Sequence, residues 1–263
     1  MKNWLAPHKL YRLNYLMDLL ITLVARDLKL RYRRSVMGVA WSLLNPLAQL
    51  LVLSFVFRTI LPLRIPNYTV FLFVGLLPWT WFQISLFQAT DSIVGNRELI
   101  RRPGFPVSVL PVITVTSNLI HLVLAFPVLV LFMLFSGINL TSAVFVLPIL
   151  VILQFALILS LAYPLATLHV TFRDTQYLLG VFLLVGFYLT PVFYDVSAIP
   201  ERYQLIYRLN PMVDLVDAYR TVLIHGQLPN ASSLWLMGLL IVLLLVFGHI
   251  FFMRASYQFA EEL

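Results

Sequence analysis

The chain has 263 residues, of which 61% are hydrophobic and only 11% charged, and its mean hydropathy is +0.92. A soluble domain is about 45–50% apolar and about 25% charged; one core of this size could not hide so much apolar surface, so an ordinary soluble enzyme and a disordered chain are excluded and a polytopic membrane protein remains. Cysteine is absent, which excludes disulfides, thiolate catalysis and cysteine-based metal sites, and a net charge of +7 is small for a nucleic-acid binder.

Residues 10–34 carry Leu13, Met17, Leu20, Val24 and Leu28 at spacings of three and four, with Lys9, Arg12, Arg26, Lys29 and Arg31 on or beside the polar part. This pattern predicts an amphipathic helix lying in the membrane interface, either as a plain anchor or with a role of its own. Crossing a hydrocarbon core about 30 Å thick takes roughly 20 apolar residues. Six runs read as spans: 36–57, 68–90, 105–135, 143–170, 177–194 and 234–253, the fifth near the minimum length. They are continuous and do not alternate with period two, so neither a barrel nor a sandwich fits. The expected fold is an all-α polytopic membrane protein, one transmembrane domain over residues 1–263.

Residues 92–104 read SIVGNRELIRRPG. Gly95 and Asn96 can start a short helix, and Pro103-Gly104 must stop it. Such a helix would project Glu98, Leu99 and Arg101 and could serve as a docking knob for a soluble partner; an ordinary basic loop explains the same charges. The connection over residues 191–229 carries two helix starts, Ile199-Pro200-Glu201 and Asn210-Pro211, the second with Asn as cap and Pro at N1. Met212, Val213, Val216, Tyr219 and Leu223 then repeat at helical spacing, and His225-Gly226 closes the segment. Two short helices with apolar faces suggest a hairpin over 195–230 that dips back into the membrane, in preference to a pair resting on its surface. Asp195, Asp214 and Asp217 lie close in sequence to Arg202, Arg208 and Arg220, a setting for weak exposed ion pairs.

Lysine and arginine set the orientation. With the N-terminus in the cytoplasm, inside segments hold thirteen of them and outside segments five, so both termini are expected to be cytoplasmic. The first basic and apolar stretches are too long for a cleaved signal peptide.

No carboxylate or lysine lies deep in a span, which disfavours ion-coupled transport. His121, His169 and His249 are scattered, and no metal site is expected. There is no G-x-x-x-x-G-K-[ST] phosphate loop, so ATP-driven work would need nucleotide and magnesium on a separate chain. The spans are rich in large aromatics: Trp41, Trp79, Trp81, Phe82, Phe87, Phe187, Tyr188, Phe193 and Tyr194. With the neutral polar residues Asn45, Gln49, Gln83 and Gln154 they could line a glycan conduit, since rings cover the apolar faces of sugars. Interfacial anchoring explains any one of them equally well.

Two stretches carry a family resemblance. The first is Arg26-Asp27-Leu28-Lys29-Leu30-Arg31-Tyr32-Arg33-Arg34-Ser35 with Gly38 and Trp41-Ser42-Leu43-Leu44-Asn45-Pro46-Leu47. The second is Tyr188-Leu189-Thr190-Pro191-Val192-Phe193-Tyr194, followed by Ile199-Pro200 and Leu209-Asn210-Pro211-Met212. Together they resemble the membrane subunit of type-2 ABC exporters of cell-surface polysaccharides, the O-antigen and teichoic-acid export permeases, over nearly the whole chain. The resemblance implies a bacterial cytoplasmic-membrane protein that forms a homodimer, two ABC ATPase subunits docked on it, and a glycan cargo on a polyprenyl pyrophosphate lipid. It implies ATPase coupling through Asn96, Arg97, Glu98, Leu99, Arg101 and Arg102, and uptake of the lipid pyrophosphate near Arg31, Arg33 and Arg34. It also implies a conduit and outer gate that include Trp41, Asn45, Phe187, Tyr188, Phe193, Tyr194, Asn210 and Met212. Rival readings are a permease for a drug or small lipid and a membrane-embedded glycan transferase, the latter with Asp91, Asp174 and Asp195 as its only candidate bases.

Overall fold

The computed structural model describes residues 6–33 and 40–262. Its axis is α3 (Tyr68–Asp91), a helix apolar round its whole circumference, 78% of whose most apolar stretch is buried. A helix of that kind belongs inside a bundle. Along it pack α5 (Val109–Phe135) and α6 (Leu147–Thr171); α10 (Ala231–Ala255) covers α6, and only 22% of its apolar stretch is buried. The long α1 (Ala6–Tyr32) lies against α5, and α2 (Ala40–Phe55) against α3.

Among the described residues five helices are long and apolar enough to cross a membrane: Leu43–Ile60, Tyr68–Asp91, Val109–Phe135, Ser142–Thr171 and Ala231–Ala255. The first joins α2 to a π-helical turn, and the fourth gains a 3₁₀ turn capped by Thr141, whose hydroxyl accepts from the Ala143 N–H. The run expected over 177–194 forms α7 (Thr175–Leu189), only 15 residues or about 22 Å long. Pro191 explains the early end: it has no N–H to continue the ladder and forces Thr190 out of the helical region, and Thr190 is extended, with ψ 134°. The start of the first expected run, 36–39, and Arg34 lie outside the described residues.

Prolines interrupt four of these helices, Pro46 in α2, Pro78 in α3, Pro127 in α5 and Pro164 in α6. In a membrane such breaks hold where neighbouring groups satisfy the backbone. Beside the break in α3 the buried Gln154 of α6 ties the two helices together, donating from Nε2 to the Pro78 carbonyl at 2.7 Å. Gln154, read from sequence as a conduit residue, is a strut inside the bundle.

The two ends of the bundle differ. At the terminal end the segment 94–104 forms a 3₁₀ turn, the single-turn helix α4 (Arg97–Ile100) and a turn closed by Gly104. Against α4 and α6 rests α11 (Phe259–Glu262). At the opposite, hairpin end, α8 (Glu201–Arg208) is followed by α9 (Pro211–Leu223). Asn210 caps α9, its Oδ1 accepting from the Met212 N–H at 3.0 Å. The apolar stripe Met212, Val213, Val216, Tyr219 and Leu223 is fully buried, and α9 packs on α3 and α6. That stripe therefore finds its cover in protein rather than in lipid.

Candidate functional site

Toward the terminal end a cavity of about 420 Å³ opens between α1, α2, α3 and α5. Pockets of a few hundred Å³ are the usual size for small-molecule recognition. Arg31, on the last turn of α1, projects into it and is held by three side chains. Its Nη1 donates to Asn118 Oδ1 at 2.9 Å; its Nη2 donates to Gln88 Oε1 at 2.9 Å and pairs with Asp27 at 3.2 Å. Asn118 Nδ2 also donates to Gln88 Oε1, at 3.0 Å. Next to this network the Tyr32 hydroxyl lies 3.0 Å from His121 Nε2. Trp41, Asn45, Thr80 and Trp81 complete the wall. One compensated cation, several neutral hydrogen-bonding groups and two indoles make a chamber suited to a polar, largely uncharged group, with room for an anion at Arg31.

From sequence Arg31 belongs to the polar side of an interfacial helix. The structure leaves it partly exposed but directs its guanidinium to α3 and α5, to partners 57 and 87 residues away in the chain. Arg33 is exposed and does not line this chamber. Arg31→Ala removes three charge-assisted contacts and leaves Asn118 Oδ1 without its donor, while Gln88 Oε1 keeps Asn118 Nδ2; in this partly exposed setting the cost is about 1–2 kcal/mol. Amide hydrogen exchange over residues 27–32 is therefore expected to speed up several-fold; unchanged protection there would mean that the network does not hold α1.

At the terminal end Asp91, on the last turn of α3, lies 3.5 Å from the Nε2 of the buried His169 on α6. Gly95 passes so close that a Cβ on it would stand 3.3 Å from the Asp91 carboxylate. Asn96 donates from Nδ2 to the Ser92 carbonyl at 2.9 Å. Arg97, Glu98, Arg101 and Arg102 are exposed, while Leu99 and Ile100 pack on the core. Two small cavities beside α4 are shared with Arg26 of α1. The segment 94–102 is thus a polar knuckle footed on both α1 and α3.

At the hairpin end the irregular segment 190–194 would carry exposed backbone carbonyls deep in the bundle, and each finds a donor. Arg220 of α9, 2% exposed, donates from Nη1 to Pro191 O at 2.7 Å and Tyr194 O at 3.4 Å, and from Nη2 to Val192 O at 2.6 Å. Tyr68 donates its hydroxyl to Phe193 O at 2.9 Å. Asn210 donates from Nδ2 to the Thr190 hydroxyl at 3.0 Å. The guanidinium also lies 3.6 Å from the Phe71 ring centre. Burial pulls Arg220 down to about 10, against the opposing pull of Asp195 and Asp217, so it stays charged at neutral pH. Burial would raise the Asp195 carboxyl, but the Ser197 hydrogen bonds and nearby Arg220 outweigh it and leave its pKa lowered. Arg220 was expected to pair with a carboxylate; it serves carbonyls instead. Phe193 anchors a ring cluster, 5.2 Å from Phe57, 5.7 Å from Phe187 and 4.9 Å from Tyr194.

The structure therefore divides the expected site residues. Arg31, Trp41 and Asn45 meet on the terminal-end chamber; Phe187, Tyr188, Phe193, Tyr194 and Asn210 meet around the hairpin latch. Met212, expected on a gate, is buried in the core, and Tyr188 is exposed. Sequence reasoning missed Gln88, Asn118, Tyr68 and the role of Arg220. The available signal for Arg220 was its place beside Tyr219 on the apolar stripe of α9, opposite a proline-broken segment in need of donors.

These features define a multi-pass α-helical membrane protein with a polar chamber at one end and a pinned, non-helical segment at the other. The chain belongs to the ABC-2 type transporter family, whose membrane domain matches residues 18–224. Among its relatives, the O-antigen export system permease protein RfbA of Myxococcus xanthus is 37% identical over 93% of this chain and 95% of that protein. The protein of the same name from Klebsiella pneumoniae is 34% identical over 96% of this chain and 98% of its own. The polysialic acid transport protein KpsM of Escherichia coli is 25% identical over 91% and 92%.

Proposed function

We propose that the chain is the permease subunit of an exporter that moves a lipid-linked polysaccharide across the bacterial cytoplasmic membrane, driven by ATP hydrolysis on separate ABC ATPase subunits. The observation that carries this reading is the end-to-end likeness to O-antigen export permeases, with nearly the full length of both chains aligned. In this reading two copies form the conduit and two ATPase chains dock on the cytoplasmic side, each with its own nucleotide and magnesium. The terminal end is cytoplasmic, and α7 with residues 190–194 makes the sixth crossing.

The knuckle of Asn96, Arg97, Glu98, Leu99, Arg101 and Arg102 is the lever against the ATPase. It is footed on α3 through Asn96 and on the core through Leu99, so a push on it reaches the central helix directly. The chamber at Arg31, Trp41 and Asn45 receives the polar head of the cargo, the pyrophosphate going to Arg31, Arg33 and Arg34 because guanidinium forks match phosphate oxygens. The hairpin and its aromatic cluster hold the far exit closed until the bundle tilts. Uptake, reorientation and release are movements of the chain around the cargo, with no covalent step on this polypeptide.

Reversing both charges, Arg101→Glu with Arg102→Glu, tests the lever. Partner ATPases should still bind and hydrolyse ATP, while export of full-length glycan falls at least tenfold and stimulation of hydrolysis by the permease is lost. Persistence of both would sink the coupling assignment.

A further inference from the structure

Asp91 and His169 have no role in the transport steps proposed above, yet their placement is costly. His169 sits in the last turn of α6, an apolar helix, and is buried. Burying an imidazole there costs free energy that a leucine would not. Part of that cost stands, since Nδ1 meets no partner among the described residues. What the ring has is Nε2 facing the Asp91 carboxylate at 3.5 Å. In either charge state of the ring, that carboxylate keeps a proton on Nε2. The pair lies directly under the knuckle. Asp91 ends α3, and a Cβ on Gly95 would stand 3.3 Å from its Oδ2, while its Oδ1 faces α6. One carboxylate thus meets the knuckle on one side and α6 on the other.

The same two helices are tied a second time deeper in the bundle, where Gln154 of α6 donates to the Pro78 carbonyl of α3. Pro78 and Asp91 are about 20 Å apart along α3 at 1.5 Å per residue. Apolar contacts between helices lack direction, whereas polar ones fix register; two ties that far apart resist both sliding and splaying. We propose that Asp91 and His169 are a positioning pair, which makes α6 follow α3 when the knuckle is pushed. The α10 helix, packed on α6, then follows with it. This inference rests on the reading of the knuckle as the lever. A second link from the knuckle to α6 runs through α11, whose Glu262 accepts from the Thr171 hydroxyl at 3.1 Å. That bond is exposed, and water weakens it relative to one in the low-dielectric interior. With the buried pair cut, the ATPases still grip and push the knuckle, but α3 moves without α6 and hydrolysis runs uncoupled from export.

The test uses the full chain reconstituted in vesicles with its partner ATPases and reads glycan exported per ATP hydrolysed. A purely structural role lowers hydrolysis and export together, in step with the amount of folded complex. Asp91→Ala and His169→Leu should each lower glycan exported per ATP about fivefold or more, with permease-stimulated hydrolysis and its KM for ATP within about twofold of native. His169→Gln, whose amide N–H replaces the Nε2–H, should stay within about twofold of native in both readings. Asp91→Ala combined with His169→Leu should be no worse than either alone, because both cut one tie. Asp91 is half exposed, so Asp91→Ala carries the test by itself if His169→Leu does not fold. An unchanged ratio or a parallel fall of hydrolysis and export in Asp91→Ala, equal losses in His169→Leu and His169→Gln, or a larger loss in Glu262→Ala would each overturn the proposal. Arg101→Glu with Arg102→Glu, run alongside, separates the pair from the lever. Export retained in that variant sinks both, whereas export lost there and kept in Asp91→Ala sinks the pair alone.

Discussion

Arg220→Ala is expected to cost on the order of 4 kcal/mol and to lower the melting midpoint of the purified protein by about 10 °C. The guanidinium is buried, and its partners at 2.6 and 2.7 Å are the carbonyls of Val192 and Pro191. Removing it leaves these buried acceptors with no other donor among the described residues. The usual remedy for a buried charge, a hydrophobic residue of similar size, should fail here. Replacing both members of an ion pair can be neutral because both charges vanish; carbonyls cannot be replaced. Arg220→Met should thus be nearly as destabilising as Arg220→Ala, despite filling the space over Phe71. Arg220→Lys should recover part of the loss, since one ammonium reaches fewer of the acceptors that the fork spans and lacks its flat contact with the ring. A methionine variant as stable as the native protein would remove the latch from the account. Local clearance is part of the same design: a Cβ on Gly75 would stand 2.8 Å from Arg220 Nη2 and 2.9 Å from Val192 O, so α3 can pass the latch only with glycine there.

Much of this architecture was readable from the sequence because it depends on local rules. Long apolar runs without charge gave four of the five long helices nearly their full extents. Asn210-Pro211 announced the start of α9 through a cap and a missing N–H, both properties of the residues themselves. The same rule at Thr190-Pro191 would have ended α7 at Leu189, but hydropathy, which does not register a break in the backbone, carried the expected span on to Tyr194. What sequence could not supply was the partner of each polar residue. Arg31 has Asp27 four residues away, a pair visible in the sequence, yet its chamber contacts are to Gln88 and Asn118, brought together only by the packing of α1, α3 and α5. Arg220 was read against neighbouring aspartates because charges invite charges, and backbone carbonyls, which belong to every residue, leave no mark in a sequence. Gln154 looked like a lining residue for the same reason: its partner is the carbonyl of Pro78.

The junction of α6 and α10 is the second place where one substitution should have a large effect. Pro164 has no N–H to give the Ser160 carbonyl four residues earlier. The bare backbone of Gly248 faces that oxygen, and a Cβ there would stand 2.5 Å from it and 3.2 Å from Pro164 Cδ. Small residues at such crossings let membrane helices approach closely, and packing rather than water exclusion then holds them together. Gly248→Ala must push the helices apart, at about 2–3 kcal/mol, and Gly248→Leu should cost about 4 kcal/mol or prevent accumulation of folded protein. Gly238, on the same helix, is the control: its nearest neighbour would be Leu153 Cδ2 at 3.5 Å, an ordinary contact. Gly238→Ala should be neutral or stabilise by up to about 1 kcal/mol through helix propensity. Size-exclusion recovery and melting of the two alanine variants side by side decide the matter. If Gly248→Ala is as stable as Gly238→Ala, close approach of backbones does not hold α10 to the bundle, and the aromatic contacts of Tyr163 with Phe252 and His249 must carry that junction instead.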